Sequence, residues 1–304
     1  MKRIILLGWL VILPKLAWAG ETAAFLKIGV GARPLGLGGA YTAVGNDVSA
    51  MAWNPAGLGG LSRRELGVMH AELVESTRYD FLGYAQPTKF GILGAGAGYL
   101  SQGSIQGRDE AGHPTGGFAA SDSVVNLSYA TKPLASNTKL GMSVKMLHSR
   151  IANASAYGCA FDLGLQRDLG LLGAGVPMLG FSVQNLGPGM KFADEIDPLP
   201  LTLAAGLGYR LPIGLTMALD YKNRPHERSS EVSIGTEYAI FSSFALRAGY
   251  ASAAAQSKGR GGLSAMSGFA AGFGFKLYSY NIDYSMTPLG ELGNVQRLSL
   301  GARF

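Results

Sequence analysis

Ile213-Gly214-Leu215-Thr216-Met217-Ala218-Leu219-Asp220-Tyr221-Lys222 is the stretch that decides the fold. Successive side chains of a strand point to opposite faces. Ile213, Leu215, Met217, Leu219 and Tyr221 therefore share one side, and Gly214, Thr216, Ala218, Asp220 and Lys222 the other. One face is apolar; the other is small, polar or charged. The same division recurs on both sides of it. Leu201, Leu203, Ala205, Leu207 and Tyr209 oppose Thr202, Ala204, Gly206, Gly208 and Arg210, and Tyr157, Cys159, Phe161, Leu163 and Leu165 oppose Gly158, Ala160, Asp162, Gly164 and Gln166. Further on, Phe269, Ala271, Phe273 and Phe275 face away from Gly272, Gly274 and Lys276, and Tyr280, Ile282 and Tyr284 away from Asn281 and Asp283.

A soluble β-sandwich also alternates, with its apolar face turned inward, so the pattern alone leaves two architectures open. Segment and connector lengths separate them. Strands are expected at 65–73, 78–87, 91–100, 122–132, 138–149, 156–167, 178–185, 200–210, 213–221, 231–240, 243–250, 268–276, 279–286 and 296–304. Fourteen is an even number, and most segments approach the ~9–11 residues of a tilted membrane strand. Gaps 101–121, 186–199, 222–230 and 251–267 are long, whereas 88–90, 211–212, 241–242 and 277–278 are short. With the N-terminus in the periplasm, these long gaps fall outside and these short ones inside, as in outer-membrane barrels. The fold expected is an all-β transmembrane antiparallel barrel whose last strand ends on an outward aromatic, Phe304.

The rest of the composition agrees. Lys2 and Arg3, the apolar run Ile4 to Leu13 and Ala17-Trp18-Ala19 read as a cleaved export signal over 1–19. No later stretch supplies the ~18 apolar residues of a membrane helix, so entry into a membrane requires a closed sheet. A single cysteine, Cys159, rules out an internal disulfide. The formal charge is +6 and drops to +3 once Lys2, Arg3 and Lys15 leave with the signal. That surplus shows no basic patch interleaved with aromatics, so no nucleic-acid partner is expected.

A closed sheet of about fourteen strands has a backbone diameter near ~28 Å and stays open unless something fills it. Residues 20–62 offer the filler, a plug of turns and short helices preceding the barrel at 63–304. It carries the Ala/Gly-rich stretch Gly29 to Ala43 and the segment Asp47-Val48-Ser49-Ala50-Met51-Ala52-Trp53-Asn54-Pro55-Ala56-Gly57-Leu58.

That second segment resembles the N-terminal hatch of the FadL superfamily of outer-membrane barrels, whose NPA motif matches Asn54, Pro55 and Ala56. The Ala32-to-Gly39 stretch with Arg33-Pro34 is most similar to the PorV/PorQ, UPF0164-like branch. So are Phe161-Asp162-Leu163-Gly164, Ser182 to Pro188, Leu246-Arg247-Ala248-Gly249-Tyr250 and the final Gln296 to Leu300. The resemblance implies a roughly fourteen-stranded barrel with an internal hatch in the cell outer membrane. It implies either passage of hydrophobic molecules, as in FadL, or an accessory role in type IX secretion that binds cargo or translocon proteins, as in PorV. The chain is much shorter than FadL, with trimmed external loops.

Site residues follow from the two sources together. Arg33, Asp47, Asn54, Pro55, Ala56 and Gly57 are the hatch and gating set; Asn before Pro suits a fixed turn as well as a moving constriction. Asp162, Asp220, Glu237, Arg247, Lys276, Asp283 and Arg297 are expected to line the lumen, with Lys145 and Arg303 on the same inward face. Charge on the lipid face costs ~2–4 kcal/mol at the midplane for Arg or Lys. These groups read either as a network that holds the hatch or as a substrate path.

No catalytic centre, metal or cofactor is expected. Gly29 to Gly39 lacks the GxGxxG spacing and the GK[ST] ending of a phosphate loop. His70, His113, His148 and His226 form no ligand spacing, and no GxSxG elbow occurs. The partners implied are outer-membrane lipid and lipopolysaccharide, with a hydrophobic ligand or secretion proteins according to which reading holds.

Overall fold

The structure, a computed structural model, describes residues 22–108, 111–134, 137–192, 195–252, 268–288 and 293–304. The expected export signal at 1–19 lies outside these residues. Each expected strand has an observed counterpart. In chain order they are β1 (Glu65–Glu72), β2 (Arg78–Pro87), β3 (Ile92–Arg108), β4 (Pro114–Ala130), β5 (Thr138–Ile151), β6 (Ala154–Asp168) and β7 (Val176–Leu186). After a small hairpin of β8 (Met190–Phe192) and β9 (Glu195–Asp197) come β10 (Thr202–Arg210), β11 (Leu215–Arg224), β12 (Ser229–Phe241) and β13 (Phe244–Ala251). The last three are β14 (Phe269–Leu277), β15 (Tyr280–Pro288) and β16 (Asn294–Arg303). Leaving β8 and β9 aside, every strand pairs antiparallel with its neighbours, and β1 against β16 closes a fourteen-stranded barrel, with Glu65 opposite Arg303 and Met69 opposite Ser299.

The two faces divide as the alternation predicts. Leu219 is 42% exposed and Asp220, its neighbour in β11, 1%. Leu203, Leu207, Met217, Phe161, Leu163, Phe273 and Ile282 face outward in the same way. An apolar exterior on a closed sheet leaves no unpaired edge and suits lipid rather than water. Phe90, Phe241, Tyr278 and Phe304 ring the short-turn end, and Tyr99, Tyr157, Tyr221 and Phe269 the other, so aromatics gird both rims. No helix among the described residues is long and apolar enough to cross a membrane.

Two gaps read as loops hold structure. Much of 101–121 continues the β3–β4 ladder, because pairing persists from Ser101↔Ser121 to Arg108↔Pro114 with two register shifts. Within 186–199 the β8–β9 hairpin folds inward, and Met190 and Leu199 join the apolar core beside Leu147, Ala156 and Ala160. β6 pairs with β7 only from Phe161↔Leu186 onward, across a register shift. Asn185 there adopts φ 60.

Residues 22–64 pack against the inward faces of the strands. They form the 3-10 turns Ala24–Lys27, Val48–Ala52 and Pro55–Gly60 and one helical turn, Ala32–Gly36. The lumen is chemically lopsided. Over β1–β5 it presents Met69, Tyr79, Phe81, Leu100, Val124 and Leu147, which bury Phe25, Val48, Met51 and Leu58 of the segment. Charge concentrates on the β11–β16 side. A purely small and polar inward face would have left those apolar side chains of the segment without partners.

Candidate functional site

The segment Arg33 to Asn54 is tied to the wall by carboxylates and carbonyls. Asp220, at mid-height of β11, accepts at Oδ2 the backbone N–H of Tyr41 at 2.9 Å, that of Thr42 at 2.9 Å and the Thr42 hydroxyl at 2.6 Å. Three donors on one buried oxygen fix the chain at that point, because leaving them unpaired inside costs more than each bond contributes.

Nearer the short-turn end Arg33 makes a fork. Its Nε and Nη2 donate to the two oxygens of Glu237 at 2.8 Å each, and Nη1 donates to Asp47 Oδ2 at 3.1 Å and Asn46 Oδ1 at 2.6 Å. Glu237 also accepts from Arg247 Nε at 2.7 Å, and Arg247 Nη1 reaches Asp283 at 2.6 Å. Bidentate charged pairs of this geometry are the strong ones. Asp47 caps the turn Val48–Ala52 by accepting from the Ser49 N–H at 3.0 Å, and takes the Tyr41 hydroxyl at 2.5 Å. Burial pushes the Asp47 carboxyl up, but Arg33 with the Ser49 and Tyr41 hydrogen bonds outweighs it and holds Asp47 below the usual range. Burial likewise works against the Arg33 charge, and Glu237 and Asp47 more than restore it.

Asn54, wholly buried, uses all of its amide. Nδ2 donates to Thr42 O at 2.8 Å and Leu165 O at 3.0 Å, and Oδ1 accepts from Ala56 N at 3.2 Å. Pro55 follows at the first position of its 3-10 turn, where no N–H is needed. This corner rests on the wall through absent side chains: a Cβ at Gly141 would collide with the Pro55–Ala56 backbone, and one at Gly164 with the Asn54 amide. A Cβ at Gly57 would likewise collide with Gly45 O.

The structure thus brings Arg33, Asp47, Glu237, Arg247 and Asp283 into one network. Asp162 lies elsewhere, accepting from Asn185 N at 2.8 Å with Lys145 Nζ 2.7 Å away, where β7 parts from β6. Lys276 is exposed at the rim of a polar vestibule of about 660 Å3 that opens at the short-turn end. Arg297 stands apart, near the outer end of β16. Arg303 Nε donates to Glu65 at 2.9 Å.

Several residues escaped the sequence reading. Tyr41 and Thr42 receive the Asp220 anchor, and Trp53 donates to Val30 O at 2.8 Å while Lys222 Nζ stands 5.0 Å over its ring. Gln184 and Ser182 donate to Trp53 O. Lys222 and Arg224 share Glu231, at 3.2 and 3.0 Å. One signal for the last pair was available, since Lys222 and Glu231 are inward residues flanking a single turn and lie directly opposite each other.

Above Trp53, between the segment and the outer half of β10–β16, lies a cavity of about 230 Å3, roofed by Leu26 and Lys27. The roof is held by Lys27 Nζ on Glu227 at 2.8 Å and by Thr22, whose hydroxyl donates to Asp197 O at 3.1 Å. Among the described residues no three His, Cys, Asp or Glu side chains converge where a metal ion would sit.

Known proteins match this chain at both levels. Residues 17–146 match the uncharacterised protein family UPF0164. A UPF0164 protein of Treponema pallidum (strain Nichols) is 24% identical over 288 residues, 88% of this chain. The chain spans 65% of that relative's length. Among solved structures, the CymD monoaromatic hydrocarbon channel superposes with a TM-score of 0.62 at 13% identity, covering 91% of this chain and 98% of its own. The Ralstonia pickettii toluene transporter TbuX gives 0.62 at 14% identity over the same shares. A Pseudomonas aeruginosa FadL homologue gives 0.54 at 11%, covering 90% and 98%. The chain therefore has the fold of the FadL-type outer-membrane barrels and, over residues 17–146, the sequence pattern of UPF0164.

Proposed function

We propose that the barrel resides in the cell outer membrane, its exterior in lipid and lipopolysaccharide, and binds and passes hydrophobic small molecules through a lumen gated by residues 22–62. The observation that carries this is the partly open cavity of about 230 Å3 between the segment and the wall, floored by Trp53 and lined above by Leu26 and Lys27 of the Ala24–Lys27 turn. A lumen filled only to stiffen the barrel would not keep such a chamber. Its fold relatives include a protein described as a toluene transporter and another as a monoaromatic hydrocarbon channel.

On this reading the chain is a channel and not an enzyme. Arg33, Asp47, Asn54, Pro55, Ala56 and Gly57 hold the gate, and the ligand leaves sideways where β6 residues 154–160 lack a β7 partner. Each buried CH2 contributes ~0.8 kcal/mol to staying out of water, which favours an exit into lipid.

The test is mass spectrometry of small molecules co-purified with the wild type and with Ala270→Phe, which fills the cavity from β14. A hydrophobic ligand present in the first and absent from the second is expected. Ligand-free spectra from both would count against passage. A secretion-accessory role of the PorV type is the second reading. The β3–β4 ribbon favours it, because its pairing continues to Arg108↔Pro114, beyond the last residues that pair with β2 and β5. Crosslinking from Phe118, exposed on the protruding part of that ribbon, in cells exporting type IX cargo tests that role.

A further inference from the structure

We propose that the outer lumen cavity takes a compact organic anion, a carboxylate on a small apolar or aromatic body, and that Arg297 reads the acid. The inference rests on the binding-and-passage reading above and names its substrate class.

Four cations line the cavity: Lys27, Lys222, Arg224 and Arg297. Three are answered, Lys27 by Glu227 and the other two by their shared Glu231. Among the described residues Arg297, 7% exposed, pairs with no carboxylate; Nη1 donates to Thr287 Oγ1 at 3.0 Å and Nε finds no acceptor. Arg224 Nε is also buried without an acceptor. A buried guanidinium keeps its charge and brings a fork of donors with it, so an uncompensated one is costly unless an acceptor arrives. A carboxylate supplies that acceptor in bidentate geometry. A neutral hydrocarbon would displace water and leave Arg297 with less than before.

The remaining lining selects the rest of the molecule. Leu26, Leu35, Trp53 and Ala270 offer apolar surface, and about 230 Å3 is small beside the ~300–1,000 Å3 of drug-sized sites. A single ring or a short chain fits, and a long acyl chain does not. Elsewhere in the lumen the guanidinium groups of Arg33, Arg247 and Arg303 all face carboxylates, as that of Arg297 does not among the described residues.

Calorimetric titration of the detergent-solubilised barrel with benzoate, toluene and palmitate tests this. Benzoate is expected to bind tightest, and Arg297→Gln to weaken it roughly tenfold or more, the scale of a lost charged hydrogen bond. Arg297→Lys, which keeps charge without the fork, falls between, and toluene, which no longer has to desolvate the guanidinium, binds Arg297→Gln more tightly than it binds the wild type. Ala270→Phe, with Arg297 intact, abolishes benzoate binding, so the site stays testable even where an Arg297 variant inserts poorly. Equal benzoate affinity in wild type and Arg297→Gln overturns the assignment, as does tighter binding of palmitate. Toluene binding without benzoate binding overturns it while sparing the passage reading; no binding of any of the three removes both.

Discussion

The two ends of the lumen treat charge in opposite ways. At the short-turn end Arg33, Glu237, Arg247, Asp283 and Asp47 satisfy one another. At the outer end, among the described residues, Arg297 lacks a counter-charge, and its Nε and that of Arg224 lack acceptors. Saturated charge locks two parts of a molecule together, because removing any member strands the others in a dry place. Unsaturated charge does the reverse and favours whatever arrives to complete it. The first end reads as an anchor for the N-terminal segment and the second as a receiving chamber.

The difference is broken most severely at the anchor. Arg33→Ala strands Glu237 and Asp47 and is expected to cost ~3–5 kcal/mol, read from urea-driven unfolding in lipid vesicles. A loss under ~1 kcal/mol would mean that the fork carries little. Asp220→Ala, which frees the Tyr41 and Thr42 amides, should cost ~2–4 kcal/mol and show as faster hydrogen exchange at those two amides while the strands stay protected. Asn54→Ala removes a cap and two carbonyl partners, for ~1–2 kcal/mol in the same assay.

A gentler lever is acid. The Asp47 carboxyl is held below its ordinary value, so its contribution is fully present above about pH 4 and is lost as pH falls through the depressed value. Exchange around residues 41–49 should quicken below about pH 4, and Asp47→Asn should remove that dependence. At the other end, Arg297→Met is expected to leave stability unchanged or slightly higher, since it deletes an uncompensated charge. A cost comparable to that of Arg33→Ala would erase the contrast.

Much of this was legible in the chain. Alternation read together with the turn-rich gaps gives each of the fourteen strands a counterpart, and Asp220 beside Leu219 states the two environments in adjacent residues. The Asp47-to-Leu58 segment reads as a plug from its Asn54-Pro55-Ala56 corner. The pairings were not legible. Arg33 meets Glu237 across 204 residues and Tyr41 meets Asp220 across 179, and one sequence carries no signal for which inward charge answers which. The β8–β9 hairpin stayed hidden because three-residue strands have no readable period. The apolar inward faces of β1–β5 follow from what they cover, which only the folded segment reveals.

The central claim is that residues 22–62 close an otherwise open barrel. Conductance across a planar bilayer tests it directly, comparing the intact chain with one lacking 22–62. The account predicts a silent intact barrel and a steady, large conductance from the deletion, in keeping with a ~28 Å backbone diameter. Equal conductance from the two, whether both silent or both open, would contradict it.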